Sequence, residues 1–454
     1  MRSISVLLSL LAAPIQAAVS ISDPSDVINP ADWAADNALL ADYNVAFVET
    51  QPSDVKAVHI YSSEAVALNH LSLSADENDT SVILVSENGS LTGSYLDILK
   101  TGYSSNLLYA SFWGFNAAVN VANSSSAHLD HVNITVHNGA ANVYSYGTGS
   151  VVHINDSWLY SSGPVSHGLY ASGNGTIVGR NLKVYSGGTR SSSFSGDSPA
   201  GYIYVYDSVA HAKGVGSATF YALGTVHAQD VVSISEHGPV VFMDGAQNAT
   251  LVNCDATAGL LGGVALFSSS DRQSGAKLNL INSKITTLGD IPGLWFGNTI
   301  VDVLINSSQI VAPSNVLIVA NYSQITQDFD YYAGFEANSD LLPAEVYAEV
   351  HESALSGDLV PYNGSYISFS LNSHSTWSGA AYSGFGVGLI DVALSANSNW
   401  TLTANSTVQN LTDADTTLSN IESCGYTLYY NSTLNEWLGG QTVLLAGGGS
   451  ATPV

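Results

Sequence analysis

The chain has 454 residues, 46% of them apolar, and a mean hydropathy of +0.17, so it can bury a large core and is not a disordered polymer. Ten Lys and Arg stand against 37 Asp and Glu, a net charge of −27, and charged residues make up only 10% of the whole. Nucleic acid and anionic membrane surfaces are thereby excluded as partners, because both recruit basic side chains.

Residues 1–18 have the order of a secretory signal peptide: Arg2, an apolar run over 4–13, then the small residues Ala17 and Ala18. Its removal leaves 9 basic against 37 acidic residues, or −28. No later apolar run reaches the roughly 20 residues needed to span a bilayer, so the expected form is secreted, extracellular and without a membrane span. Residues 19–75 are expected to hold an N-terminal cap and the first strands, with 31–40 as a short amphipathic helix closing the open end of a solenoid.

Residues 76–325 are periodic. Glycines closing alternating segments fall at Gly139, Gly163, Gly188, Gly214, Gly238, Gly259 and Gly289, at intervals of 24, 25, 26, 24, 21 and 30. Each segment reads as a short alternating strand, an Asn/Asp corner and a second alternating strand, as in Val152-His153-Ile154-Asn155-Asp156-Ser157-Trp158-Leu159. The corner residues align as Asn133, Asp156, Asn181, Asp207, Asp230, Asp255, Asn282 and Asn306, about 25 apart. Strands without helical pattern at this period predict an all-β fold, a parallel β-helix with three strands per coil, stacked at about 4.8 Å. Asn and Asp suit the left-handed bend such a corner needs, and their amides can hydrogen-bond up the stack, so this column is read as a structural ladder.

Residues 326–454 are expected to form irregular coils and the C-terminal end of the helix. The period is lost over 328–359, an acid-rich stretch, and returns at Asn372 and Asn397.

Asn-x-Ser/Thr triplets, the acceptors of N-glycosylation in the secretory route, occur at Asn78, Asn88, Asn123, Asn133, Asn155, Asn174, Asn248, Asn306, Asn321, Asn363, Asn399, Asn405, Asn410 and Asn431. Cys254 and Cys424 lie about seven coils apart and are not expected to pair.

The succession Ser166-His167-Gly168-Leu169, Ser235-Glu236-His237-Gly238, Asn399-Trp400-Thr401-Leu402-Thr403 and the closing Gly425-Tyr426-Thr427-Leu428-Tyr429-Tyr430 and Leu438-Gly439-Gly440-Gln441-Thr442 resembles a family of secreted right-handed β-helix proteins of bacteria and fungi whose role is unassigned. The resemblance implies fold and export, and supplies no reaction. The motif set of pectin-hydrolysing β-helix enzymes is missing, with Ser166-His167-Gly168 a partial echo, and the three arginines after the leader are few for a pectate lyase.

Column arithmetic proposes one patch. Lys213 and Glu236 share an offset of 6 from their corners, and Tyr221 and Asp244 share 14, with His227 and His237 nearby. Glu236, Asp244, His237, Lys213 and Tyr221 are therefore the candidate catalytic residues, offering acid, base and hydroxyl types together. His128, His131, His137, His153 and His211 fall in no common column, so no metal site and no cofactor is expected. The reading is a secreted, glycosylated binding or structural protein at an extracellular surface or cell wall with a glycan as ligand. Its alternative is a carbohydrate-active or small-molecule tailoring enzyme, a hydrolase, lyase or isomerase, centred on Glu236. Nothing in the sequence assigns an oligomeric state.

Overall fold

A computed structural model describes residues 54–105, 107–137, 141–268, 271–321, 342–384 and 386–454. The expected signal peptide, the plug over 31–40 and the acidic residues Asp328, Asp330, Glu336 and Asp340 lie outside the described residues.

Alternation of apolar and polar residues puts one face of every strand inside, and the chain winds as a parallel β-solenoid of about 15 turns with about 25 residues per turn. Each turn contributes one strand to each of three sheets. Sheet 1 begins with Lys56–Ser62, Thr80–Ser86, Val119–Ala122 and Val143–Tyr146. Sheet 2 begins with Ala65–Asn69, Ser90–Ser94 and Ser126–Asp130, and sheet 3 with Ser72–Ala75, Asp97–Lys100 and Asn133–Val136. Every inward position stacks on its equivalent one turn away. One such file runs Val143, Leu169, Phe194, Phe220, Val241, Val264, Leu294 and Ile318, all wholly buried. Near the C-terminus Trp377 and Trp400 stack at 4.6 Å, each indole N–H donating to a backbone carbonyl.

The corner between sheets 2 and 3 is a single residue in the left-handed region, and this fixes the winding. It is occupied by His131, Asp156, Asn181, Asp207, Asp230, Asn253, Asn282 and Ser307, with φ between 48° and 55°. Three residues of the expected ladder are displaced from it. Asn133 and Asp255 open sheet 3 strands two positions later, and Asn306 closes a sheet 2 strand one position earlier. The strands around them admit Asn or Asp on an outward position as readily as at the bend, so residue type alone misplaces the corner. Where amides do stack they bond: Asn181 Nδ2 donates to Asp156 Oδ1 at 2.5 Å, Asn253 to Asp230 at 3.1 Å and Asn282 to Asn253 at 2.7 Å.

A second ladder one residue past the corner escaped the sequence reading. Buried Ser157, Ser208, Ser283, Ser308 and Ser353 each accept the N–H of the preceding turn at 2.9–3.1 Å. Each hydroxyl donates to a carbonyl two residues back in its own turn, at 2.5–2.9 Å. One hydroxyl thus satisfies two backbone groups that the bend would leave orphaned.

The lost period has a simple cause. Asn306 pairs with His351, 45 positions on, because the connection from sheet 1 to sheet 2 is lengthened there, while Glu345–His351 itself is a regular strand of sheet 2. The stack then continues through Tyr366–Asn372 and Leu389–Leu394. A helix, Leu107–Trp113, occupies another long connection, from sheet 3 to sheet 1. No helix among the described residues is long and apolar enough to cross a membrane. Cys254 is buried, Cys424 is exposed, and they are not bonded to each other.

Candidate functional site

The outer wall of sheet 1 should be solvated, but much of it is buried. Tyr144 and Tyr170 occupy successive turns on that wall, exposed 0% and 2%. The helix Leu107–Trp113 covers them: Tyr144 OH donates to Ser111 O at 2.5 Å, and Ser172 Oγ to Phe112 O at 2.9 Å. Two glycines bring Asp197 into this setting. Gly196 and Gly201 lie so close that a Cβ on Gly196 would meet Gly201 O at 2.7 Å, and the register slips between them, extruding Asp197 and its neighbours from the strand Phe194–Tyr206.

Asp197 is 7% exposed, accepts from Tyr170 OH, and takes the Ser198 N–H at 2.6 Å. Burial, reinforced by the negative charge of Asp244, pushes its carboxyl up to about 6 against these two donors. Burial likewise pushes the Tyr144 and Tyr170 hydroxyls well above their ordinary range.

His167, 5% exposed, packs its ring 4.2 Å from that of Tyr170. Its Nδ1 accepts the Ser192 N–H at 3.0 Å and stands 2.9 Å from Ser195 Oγ. Burial drives it down to about 3, so it is neutral, and Nδ1 is the acceptor nitrogen. The Ser195–His167 contact has the spacing of a nucleophile and its base, but a base works best when it titrates near the working pH. His167 is far below that, whereas the Asp197 carboxyl, at about 6, exchanges its proton much closer to neutrality.

The patch proposed from column arithmetic is divided by the fold. Tyr221 stacks on Phe242 at 5.6 Å, and Asp244 lies two positions beyond Phe242 on its strand. The bend before Val241 is two residues shorter than that before Phe220, which breaks the shared offset. Lys213, Glu236 and His237 sit at the start of the connections from sheet 3 to sheet 1. There Glu236 Oε1 lies 2.6 Å from His211 Nε2, and His237 Nδ1 lies 2.8 Å from Lys213 O. His227 is on sheet 2.

Of the five histidines expected to share no column, two do share one. His128 pairs with His153 on sheet 2, their rings 6.3 Å apart, and the same file passes through Val178, Tyr204 and His227. The spacings of 25 and then 74 residues are one turn and then three, in step with the period of the solenoid. Around it Tyr202, Tyr204 and Tyr206 project from one strand, all half-buried, with Arg180 stacked 4.6 Å over the Tyr206 ring. Asp130, His131 and Asp156, beside the corner, bring ligand atoms within 4.8 Å of one another, a grouping the sequence reading did not foresee.

A pocket of about 250 Å³ lies lower on the outer wall of sheet 1, between Trp113 of the helix, Tyr146, Ser86 and the acidic Glu87 and Asp54. A more open groove of about 460 Å³ runs over the first strands of sheet 3, past Asp97 and Asn133. Asn78, Asn88, Asn123, Asn133, Asn363, Asn399 and Asn405 are exposed, and the other seven acceptor asparagines are half-buried.

No protein-family model matches this chain, and no curated protein is significantly similar to it.

Proposed function

We propose that the protein is a secreted, glycosylated solenoid that binds an extracellular glycan along the outer face of sheet 2. The observation that carries this reading is the row Tyr202, Tyr204 and Tyr206, set among His128, His153 and His227 on an open, regular sheet. His227 lies 6.4 Å from the Tyr204 ring and 5.8 Å from that of Tyr206, so the rings form one platform. Aromatic faces take the C–H face of a sugar ring while their polar tips stay wet. Turns at about 4.8 Å set the rows Thr176, Val178, Arg180 and Thr225, His227, Gln229 on either side of the tyrosines, so an extended polymer meets polar partners along the axis next to the aromatic row. The leader and the acceptor triplets support export. Affinity electrophoresis against a panel of cell-wall glycans tests the reading: Tyr204→Ala with Tyr206→Ala should weaken binding about 5- to 30-fold by removing stacking worth about 1–2 kcal/mol. Unchanged retardation would refute it.

Asp197 favours a second reading, acid catalysis on a glycosidic bond. A buried carboxyl held at about 6, chiefly by desolvation, is the kind of group that serves as a general acid, and in this reading it replaces Glu236 as the acid.

A further inference from the structure

We propose that the pocket between Trp113, Tyr146, Glu87 and Asp54 binds a protonated amino sugar, the de-N-acetylated unit of a cationic glycan. This deepens the glycan-binding reading at a second place on the solenoid. The pocket presents two aromatic rings and two carboxylates, and among the described residues no Lys, Arg or His lines it. An ammonium group is attracted both to ring faces and to carboxylates, and a cavity of about 250 Å³ lies below the usual range for drug-sized ligands, near the size of a single sugar ring.

The walls are held in place before a ligand arrives. Trp113 is 5% exposed, and Asn123 Nδ2 donates to Glu87 Oε1 at 2.8 Å, which leaves Glu87 Oε2 for the ammonium. Ser86 and Asn123 supply polar partners for the hydroxyls that distinguish a sugar from a lysine side chain. The net charge of −27 adds long-range attraction for a polycation and repels polyuronates.

Calorimetric titration of the full-length protein with the glucosamine tetramer, the N-acetylglucosamine tetramer, cellotetraose and tetralysine tests this. The glucosamine tetramer should bind at least tenfold more tightly than the other three, with affinity falling as salt rises. Glu87→Gln and Trp113→Leu should each weaken it at least tenfold. Retardation of the natural protein on neutral cell-wall glycans reads the sheet 2 platform separately, so failure at this pocket and failure of the platform are told apart. Equal binding of the N-acetylated or neutral oligomer, equal binding of tetralysine, or insensitivity to Glu87→Gln overturns the proposal. A glycan on Asn123 would cover the pocket, so an occupied Asn123 in the binding form, read by peptide mass spectrometry, overturns it too.

Discussion

Replacing Asp197 with Asn should change how stability depends on pH, in a direction set by the network around it. The Asp197 carboxyl moves from an ordinary 3.8 to about 6 in the folded protein. Its contribution is therefore fully present below 3.8 and lost as pH rises through about 6, a loss of about 3 kcal/mol. His167 moves the other way, from 6.5 to about 3, so its contribution is present above 6.5 and lost as pH falls through about 3, about 5 kcal/mol in all. Between pH of about 4 and 6 the two slopes oppose each other, each up to about 1.4 kcal/mol per pH unit, and nearly cancel in the natural protein. In Asp197→Asn the His167 slope stands alone. Urea unfolding followed by near-ultraviolet circular dichroism, with the natural protein measured alongside, isolates the effect, because groups untouched by the substitution drop out of the difference. The variant should gain about 3 kcal/mol relative to the natural protein between pH of about 4 and 7. His167→Asn should show the opposite trend. A pH-independent difference for Asp197→Asn would mean that the carboxyl is not desolvated, and the account of the sheet 1 wall would fail.

Two further outcomes follow from the same geometry. Ser308→Ala removes a hydroxyl that accepts the Ser283 N–H at 2.9 Å and donates to Asn306 O at 2.8 Å, and should cost about 1–3 kcal/mol in urea unfolding, where Ser→Ala at an exposed position costs almost nothing. If glycan cleavage accompanies binding, Asp197→Asn should abolish release of reducing ends while leaving retention on the glycan intact; release at the natural rate would assign the acid elsewhere.

The period of the chain was legible because stacking repeats a pattern that residue types report directly: apolar alternation, a bend-tolerant Asn or Asp, a glycine. The column positions were less so. Tyr221 and Asp244 were aligned by counting from Asp207 and Asp230, and a bend two residues shorter before Val241 was enough to separate them. His128 and His153 stand one period apart on strands that match residue for residue, and the pair was obscured by His131, His137 and His211, which lie nearby in sequence and share no file with it. The buried acid at Asp197 left no periodic trace, since it lies in an extrusion between Gly196 and Gly201, and only Ser166-His167-Gly168 hinted at that neighbourhood. The serine ladder was hidden by composition: in a chain so rich in serine, five that act in concert look like any others.

The three corners of each turn are under unequal constraint. One holds a single left-handed residue at each turn from His131 to Ser307, whereas the passage from sheet 1 to sheet 2 takes 23 residues between Asn321 and Glu345 while Asn306 still pairs with His351. A molecule built this way separates shape from chemistry: the tight bend keeps the register, and a segment added at the tolerant edge leaves the core as it was.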